Sequence, residues 1–169
     1  MTDLVFLDTE TTGLDPFKHE VWEVALAFHD GPIMTHILVH SLKTADPKAL
    51  ELNGYFRRYP TGARSEGPML DLELRQVLTG YTLVCSNPTF DRMFLRARWG
   101  EEPWHHRSIA IETMAMTVFD WERRRGMADV AEELRRKGFD IPTPDHTAAK
   151  DVEVLRECYR ALRTDQARY

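Results

Sequence analysis

Two acidic residues that follow a short apolar run are the first candidates for chemistry in this sequence. Asp8 and Glu10 come directly after residues 4–7, a run typical of a strand buried on both faces. Side chains two positions apart on a strand point to the same side. Two carboxylates held that close repel each other unless a cation lies between them. The pattern therefore predicts a metal site where an inner strand ends.

A further acid lies at a second predicted junction between a strand and a helix. Asp91 falls in the first turn of a helix that Asn87-Pro88 begins, directly after a predicted strand at residues 81–85. An acid in the first helical turn is also favoured by the helix dipole without any function. If this strand neighbours the first one, Asp91 faces the same cleft as Asp8.

A histidine and a fourth acid stand at the start of the last predicted helix. His146 and Asp151 are five positions apart. On a continuous helix this spacing would separate the two side chains by roughly 140°. Pro142 and Pro144 keep the preceding segment out of a helix. We therefore expect His146 on a loop, from which its ring can lean over a metal that Asp151 helps to hold.

The elements that must position these residues follow a mixed α/β pattern. Apolar periodicity predicts strands at residues 4–7, 20–28, 33–39, 81–85 and 108–111. Helices are predicted from Pro47 toward Phe56 and at residues 69–78, 88–99, 112–124, 128–137 and about 147–162. Asp30-Gly31 marks a hairpin between the second and third strands. Three antiparallel strands followed by alternating helices and strands predict a mixed sheet flanked by helices.

Length and composition limit the class of protein. The 169 residues suffice for a single domain, here with a core of about residues 3–163 and a short C-terminal tail. A net charge of −5 argues against a general nucleic-acid coating protein. The sequence contains neither a secretory segment nor an apolar run of membrane-spanning length, so we expect a cytoplasmic protein. Cys85 and Cys158 are expected to be reduced thiols in the core.

Three segments together resemble the motifs of the DEDDh-type 3′→5′ exonucleases, the superfamily of proofreading subunits, RNase T and oligoribonuclease. They are FLDTETTGL at residues 6–14, NPTFDRMFL at 87–95 and HTAAKD at 146–151. A subgroup with Tyr in place of His would carry it four positions before the last Asp, where Thr147 stands. The resemblance extends from Leu4 to about Leu162. It implies an RNase H-like fold with a five-stranded sheet, three strands antiparallel and the last two parallel.

The resemblance also implies a catalytic set. Its members would be the metal ligands Asp8, Glu10, Asp91 and Asp151, and the general base His146. They would hold two Mg²⁺ ions, for which Mn²⁺ can substitute, during in-line phosphodiester hydrolysis. Asp8 would bridge both ions, Glu10 and Asp151 would bind the ion that carries the water, and Asp91 would bind the other ion.

Substrate contacts follow from the same resemblance. The backbone at Thr9 and Glu10 would bind the 3′ hydroxyl, and the turn at Gly13 and Leu14 would seat the terminal nucleotide. Leu14 either wedges against the terminal base or packs in the core. Asn87 caps its helix or also contacts the scissile nucleotide, beside His146.

Other cationic residues and two departures from the family pattern leave the substrate contacts less defined. Several cationic residues could either contact phosphates or lie on the solvated surface. They are Arg57, Arg58, Arg64 and the cluster at residues 105–107. Ser86 stands where many relatives carry His, and Ala110 stands where many carry an acid outside the metal set. The loop at residues 60–68 has no family pattern.

The implied activity is the release of nucleoside 5′-monophosphates from the 3′ ends of single-stranded or frayed nucleic acid. DNA is the expected substrate and RNA is the alternative. Nucleic-acid 3′ ends are the expected partner, and a DNA polymerase or other replication protein in trans is open, as are proofreading, DNA-end trimming and RNA-end trimming. Some relatives are dimers, so a homodimer is open. A haloacid dehalogenase-like phosphatase is disfavoured because Glu10 stands where that chemistry needs Asp. A non-catalytic module that binds 3′ ends is the remaining alternative.

Overall fold

A five-stranded mixed sheet forms the centre of the fold in the computed structural model, which describes residues 3–59 and 67–166. Its strands are β1 (Leu4–Thr11), β2 (Val21–Phe28), β3 (Ile33–Ile37), β4 (Thr82–Cys85) and β5 (Ser108–Ala110). The strand order is β3-β2-β1-β4-β5. β1, β2 and β3 pair antiparallel, while β4 and β5 run parallel to β1. The predicted fold class is confirmed.

Helices cover both faces of this sheet. They are α1 (Pro47–Leu52), α2 (Tyr55–Arg58), α3 (Pro68–Leu78), α4 (Pro88–Trp99), α5 (Ile111–Val118), α6 (Met127–Arg136) and α7 (Ala148–Gln166). Phe6 and Ala25 pack on one face with α5, α6 and α7. Val5 and Leu7 pack on the other face with α3 and α4. β1 is therefore buried on both sides, as its apolar run predicts.

β1 extends beyond the apolar run that predicts it. Asp8 and Glu10 lie inside the strand rather than after it, because pairing with β2 continues to Thr11. The register shifts between Glu10 and Thr11, where Glu10 pairs with Glu23 and Thr11 pairs with Val21. Such a bulge re-aims side chains beside functional sites. The acids consequently have the rigid backbone of a central strand.

Two predicted helices have different bounds in the structure. The helix predicted from Pro47 toward Phe56 is two helices, because Gly54 adopts a left-handed conformation with φ of 63° between α1 and α2. The helix predicted to reach Arg124 ends at Val118, and Asp120 follows with φ of 52°. Apolar periodicity predicted these elements but not their ends.

Several local predictions are confirmed. The Asp46 side chain caps α1 by accepting a hydrogen bond from Lys48 N at 2.9 Å. Cys85 and Cys158 are buried free thiols. Of the loop predicted at residues 60–68, residues 60–66 lie outside the described part of the chain. Within the described residues, no helix is long and apolar enough to cross a membrane.

Candidate active site

Three of the expected carboxylates converge at the end of the sheet. Asp8, Glu10 and Asp151 each place one carboxylate oxygen within 4.8 Å of the others. Asp8 and Glu10 lie on the sheet face that packs against α7, and Asp151 lies in the first turn of that helix. Asp151 Oδ1 is buried without a hydrogen-bond partner among the described residues. These oxygens form a group that could bind a metal ion.

The fourth carboxylate approaches from the other face of the sheet. Asp91 lies in the first turn of α4 and is buried. Thr9 Oγ1, also buried, donates a hydrogen bond to Asp91 Oδ1 at 2.9 Å. β4 and β1 are parallel neighbours, as the prediction of one shared cleft requires. The four acids thus meet across the edge of the sheet, brought there by β1, α4 and α7.

Burial makes this group of carboxylates hard to ionise. It raises the pKa of Glu10 to about 8, an effect that the Arg58 guanidinium opposes. It raises the pKa of Asp91 to about 7, against the hydrogen bond from Thr9. The pKa of Asp8 is raised well above its ordinary value, first by burial and then by the charges of its neighbours, beginning with Asp91. Burial also raises the pKa of Asp151. A divalent cation would relieve this repulsion.

His146 lies on the loop before α7, as predicted. Its backbone is left-handed, with φ of 60°, which a non-glycine residue rarely adopts. The neighbouring residues fix the loop: Asp145 Oδ1 accepts hydrogen bonds from Thr147 N at 3.1 Å and Thr147 Oγ1 at 2.7 Å. Thr147 Oγ1 in turn caps α7 by accepting from Lys150 N at 3.2 Å. The loop and helix therefore hold His146 and Asp151 in one arrangement.

A cleft of about 570 Å³ opens beside the acids. Asp8, His146 and Asp151 are among the residues that line it. The rest of the lining comes from Ser86, Gly126, Met127, Ala128, Glu132, Arg135, Thr143, Pro144 and Leu155. Its volume falls within the range of small-molecule sites. The expected histidine and two of the expected acids therefore face one concave surface.

Comparisons with known proteins agree with this geometry. The chain is 27% identical to the oligoribonuclease of Halorhodospira halophila, over 85% of this chain and 86% of that protein. The fold resembles E. coli exonuclease I in complex with a dT13 oligonucleotide, with a TM-score of 0.66 and 17% identity over 98% of this chain and 42% of that one. It also resembles Brucella melitensis NrnC bound to pGG, with a TM-score of 0.60 and 18% identity over 99% of this chain and 75% of that one. No family model matches the chain.

These likenesses agree with the resemblance to the DEDDh-type 3′→5′ exonucleases that the three sequence motifs carry. The oligoribonuclease relationship covers most of both chains, and the structural likeness supports the RNase H-like fold.

The turn that follows β1 exposes Leu14. Its side chain is 76% exposed, so the alternative that Leu14 packs in the core is wrong. Thr11 Oγ1 donates to Gly13 O at 2.6 Å and holds the turn against the strand. Asn87 occupies the N-cap position of α4, but its side chain makes no capping hydrogen bond.

Two side-chain contacts lie at the positions where the sequence departs from the family pattern. Ser86 Oγ donates to Glu112 Oε1 at 2.8 Å. Glu112 lies two residues after Ala110, in the first turn of α5, and its side chain is also paired with Arg124 at 3.3 Å. Glu112 therefore supplies a carboxylate near the position where Ala110 lacks one, and no sequence motif indicated it.

Among the cationic residues, Arg58 is not a solvated surface residue. It forms an ion pair with buried Glu23 at 2.7 Å, whereas Arg57 is exposed. Arg64 lies outside the described residues. Glu23 was also missed, although its position as the single acid of the apolar strand β2 was a signal. A charged residue in a strand that is otherwise buried requires a partner or a function.

Proposed function

We propose that this exonuclease releases nucleoside 5′-monophosphates by metal-dependent hydrolysis of the terminal phosphodiester. The observation that carries the proposal is the convergence of Asp8, Glu10 and Asp151 within 4.8 Å, beside the cleft that His146 lines. Asp91 completes the set from α4. Isolated surface acids would not explain why four carboxylates share one partly buried place despite their repulsion.

The donor set fits divalent cations. An all-oxygen group suits Mg²⁺, and Mn²⁺ accepts the same ligands. Asp8, Glu10 and Asp151 would hold one ion, and Asp91 with Asp8 would hold a second. Bound divalent ions supply stabilisation of the charge that develops on the attacking and leaving oxygens.

The side chains of this chain divide the remaining work. His146 accepts the proton of the attacking water, since it faces the cleft on a loop rather than pointing into the core. Thr9 fixes the Asp91 carboxylate through its hydroxyl, so Asp91 is oriented before substrate arrives. The backbone of Thr9 and Glu10 would bind the 3′ hydroxyl, and Leu14 would contact the terminal base. Asn87 would contact the scissile nucleotide in addition to its position at the start of α4.

Short single-stranded RNA is the substrate that we favour. The supporting observation is the relative named as an oligoribonuclease, which matches 85% of this chain. The oligonucleotide complexes of exonuclease I and NrnC belong to proteins under 20% identical and support only the fold. DNA, the expectation from sequence, is the second candidate.

A matched substrate series tests the choice. Oligoribonucleotides and oligodeoxyribonucleotides of the same sequence and length, labelled at the 5′ end, are incubated with the protein and Mg²⁺ at one salt concentration. We expect stepwise shortening from the 3′ end, with a higher kcat/KM on RNA, because contact with a 2′ hydroxyl distinguishes the two. A higher kcat/KM on DNA would reverse the assignment of substrate. Products of any other kind would contradict the reaction.

A further inference from the structure

We propose that Glu23 and Arg58 form a positioning pair. The pair fixes the strand that bears Glu10 relative to the helix that bears Asp151. The inference rests on the proposed function, because it concerns the same carboxylates. Neither residue belongs to the expected catalytic set. Together they would act on the reaction through the ligands, without contacting substrate.

Glu23 is located to influence both ligands. It pairs directly with Glu10 across β1 and β2, so the two side chains lie on the same face of the sheet. Its Oε2 accepts a hydrogen bond from Ala148 N, the first residue of α7, at 3.3 Å. Asp151 lies one turn further along that helix, where its N–H donates to Thr147 O at 2.9 Å. Glu23 thus links the strand of one ligand to the helix of another.

Arg58 holds Glu23 in this position. Its Nη1 donates to both Glu23 oxygens at 3.0 and 2.7 Å, and its Nη2 donates to Oε2 at 2.8 Å. The guanidinium lies 4.8 Å from the Trp22 ring centroid, and its Nε donates to Asn53 O at 2.9 Å. Asn53 Nδ2 donates to Thr11 O at 3.0 Å, which returns the network to β1. A planar guanidinium bound at both edges leaves Glu23 little freedom.

The pairing also separates Glu23 from the metal ligands. Glu23 is 5% exposed and lies opposite Glu10, so without a partner it would be a fifth carboxylate available to the cations. With both oxygens bound to Arg58, its hydrogen-bonding capacity is directed toward α2 and α7. The ligand group of Asp8, Glu10 and Asp151 accordingly excludes Glu23.

Two substitutions that remove opposite charges can distinguish a positioning role from a purely electrostatic effect on the metal ligands. Arg58→Met removes a positive charge but keeps an aliphatic stem against Trp22, and Glu23→Gln removes a negative charge with little change in shape. If only the field at the site mattered, Arg58→Met would tighten Mn²⁺ binding and Glu23→Gln would weaken it. A positioning pair predicts that both substitutions weaken Mn²⁺ binding. It also predicts that both lower kcat at saturating Mg²⁺, by about tenfold to a hundredfold, with KM for the oligonucleotide less affected.

Calorimetric titration of the substrate-free protein with Mn²⁺ measures the first effect without activity. Shifts of opposite sign in the two variants, or no shift in either, would overturn the proposal. The double variant should bind Mn²⁺ no more weakly than the worse single variant, because the two residues act as one unit. Additive losses would contradict this. Arg58→Lys, which keeps the charge but not the two-edged contact, should give an intermediate affinity.

A matched control comes from a second ion pair of similar exposure. Arg98 binds Asp71 through two hydrogen bonds, at 2.6 and 2.7 Å, on the opposite side of the sheet from α7. Arg98→Met should lower the thermal unfolding temperature while Mn²⁺ affinity and kcat stay as in the wild type. Loss of Mn²⁺ affinity in this variant would mean that general destabilisation explains the effects at Arg58. Inactive wild-type protein would contradict the proposed function, whereas the Mn²⁺ titrations judge the positioning pair independently.

Discussion

Four carboxylates in one place, with Asp91 buried and the other three half-buried, make ionisation of the site costly to the metal-free fold. Glu10 has a pKa of about 8 and Asp91 one of about 7, and burial is the main cause at both positions. In the unfolded chain these groups ionise near their ordinary values of 4.5 and 3.8. The folded state consequently holds more protons than the unfolded state in the interval between these values. Stability then falls as pH rises through that interval.

The pH dependence of unfolding tests this reasoning at Glu10. A raised pKa stabilises the metal-free protein fully below about pH 4.5, and that contribution is lost as the pH rises through about 8. We expect the unfolding temperature of the metal-free wild type to fall between pH 5 and about pH 9, and to fall less in Glu10→Gln. Mg²⁺ should raise it most at the alkaline end, because cations bind the ionised carboxylates. Equal pH slopes for the two proteins would contradict the raised pKa.

His146 is the residue whose role is most separable from metal binding. It lies on the loop before α7 and faces the cleft beside Asp8 and Asp151. We expect His146→Ala to lower kcat by roughly 10²–10⁴-fold, the usual contribution of general base catalysis. Calorimetric Mn²⁺ affinity should stay close to that of the wild type. Unchanged turnover would remove His146 from the mechanism, and lost Mn²⁺ binding would recast it as a ligand.

At the scale of elements, the turn after β1 joins the metal ligands to the proposed seat of the terminal nucleotide. A Cβ on Gly13 would lie 2.4 Å from His19 Nδ1. That ring is tied in place, because its Nδ1 accepts a hydrogen bond from Asp15 N at 2.9 Å. A larger residue at position 13 would require a shift of the His19 ring, with its hydrogen bond to Asp15 N, or of the segment that carries Leu14.

Substitution of Gly13 should therefore affect substrate binding more than metal binding. We expect Gly13→Ala to lower kcat/KM by up to about 10²-fold, mainly through KM, since small displacements of positioning groups have effects of this size. Gly67→Ala is the control, since its φ of −65° is ordinary and a Cβ there would meet nothing within 4 Å. Equal kcat/KM in wild type and Gly13→Ala would contradict the role of the turn.

Elements with strong local signals could be predicted from sequence, and those set by tertiary contacts could not. The apolar run of β1, the Asp46 cap and the hairpin at Asp30 are encoded within a few residues. The break at Gly54 depends on α1 and α2 both packing beside Trp22. The apolar periodicity of the sequence continues through Gly54, so it predicted one helix there and not two.

The candidate site divides in the same way. Motif spacing predicted Asp8, Asp91 and Asp151, and the structure brings all three to one edge of the sheet. Spacing gave no sign that Glu23 faces Arg58, because the two are 35 positions apart and meet only in the folded sheet. The contact between Ser86 and Glu112 is likewise nonlocal. Residues that support a site from a distance have no fixed sequence offset to recognise.

For the whole molecule, charge and shape point to a site that depends on bound cations. The net charge of −5 is unfavourable for a polyanionic substrate, and the converging acids concentrate negative charge at the cleft. Bound divalent cations would reverse the sign of the local charge, so that the substrate phosphate could bind there favourably. The sheet, with helices on both faces, supplies the rigid frame on which this depends.

The activity of Asp8→Asn on a 5′-labelled single-stranded oligonucleotide in Mg²⁺ tests directly whether the four carboxylates form a catalytic metal site. Asp8 is the acid whose pKa is raised by the charges of the other three carboxylates of the site. We expect a ladder of products shortened one nucleotide at a time with the wild type. We expect no ladder with Asp8→Asn, although that variant should fold, because the substitution removes a repulsive charge and preserves shape. Equal ladders with the two proteins would contradict the assignment of these carboxylates as the catalytic metal site.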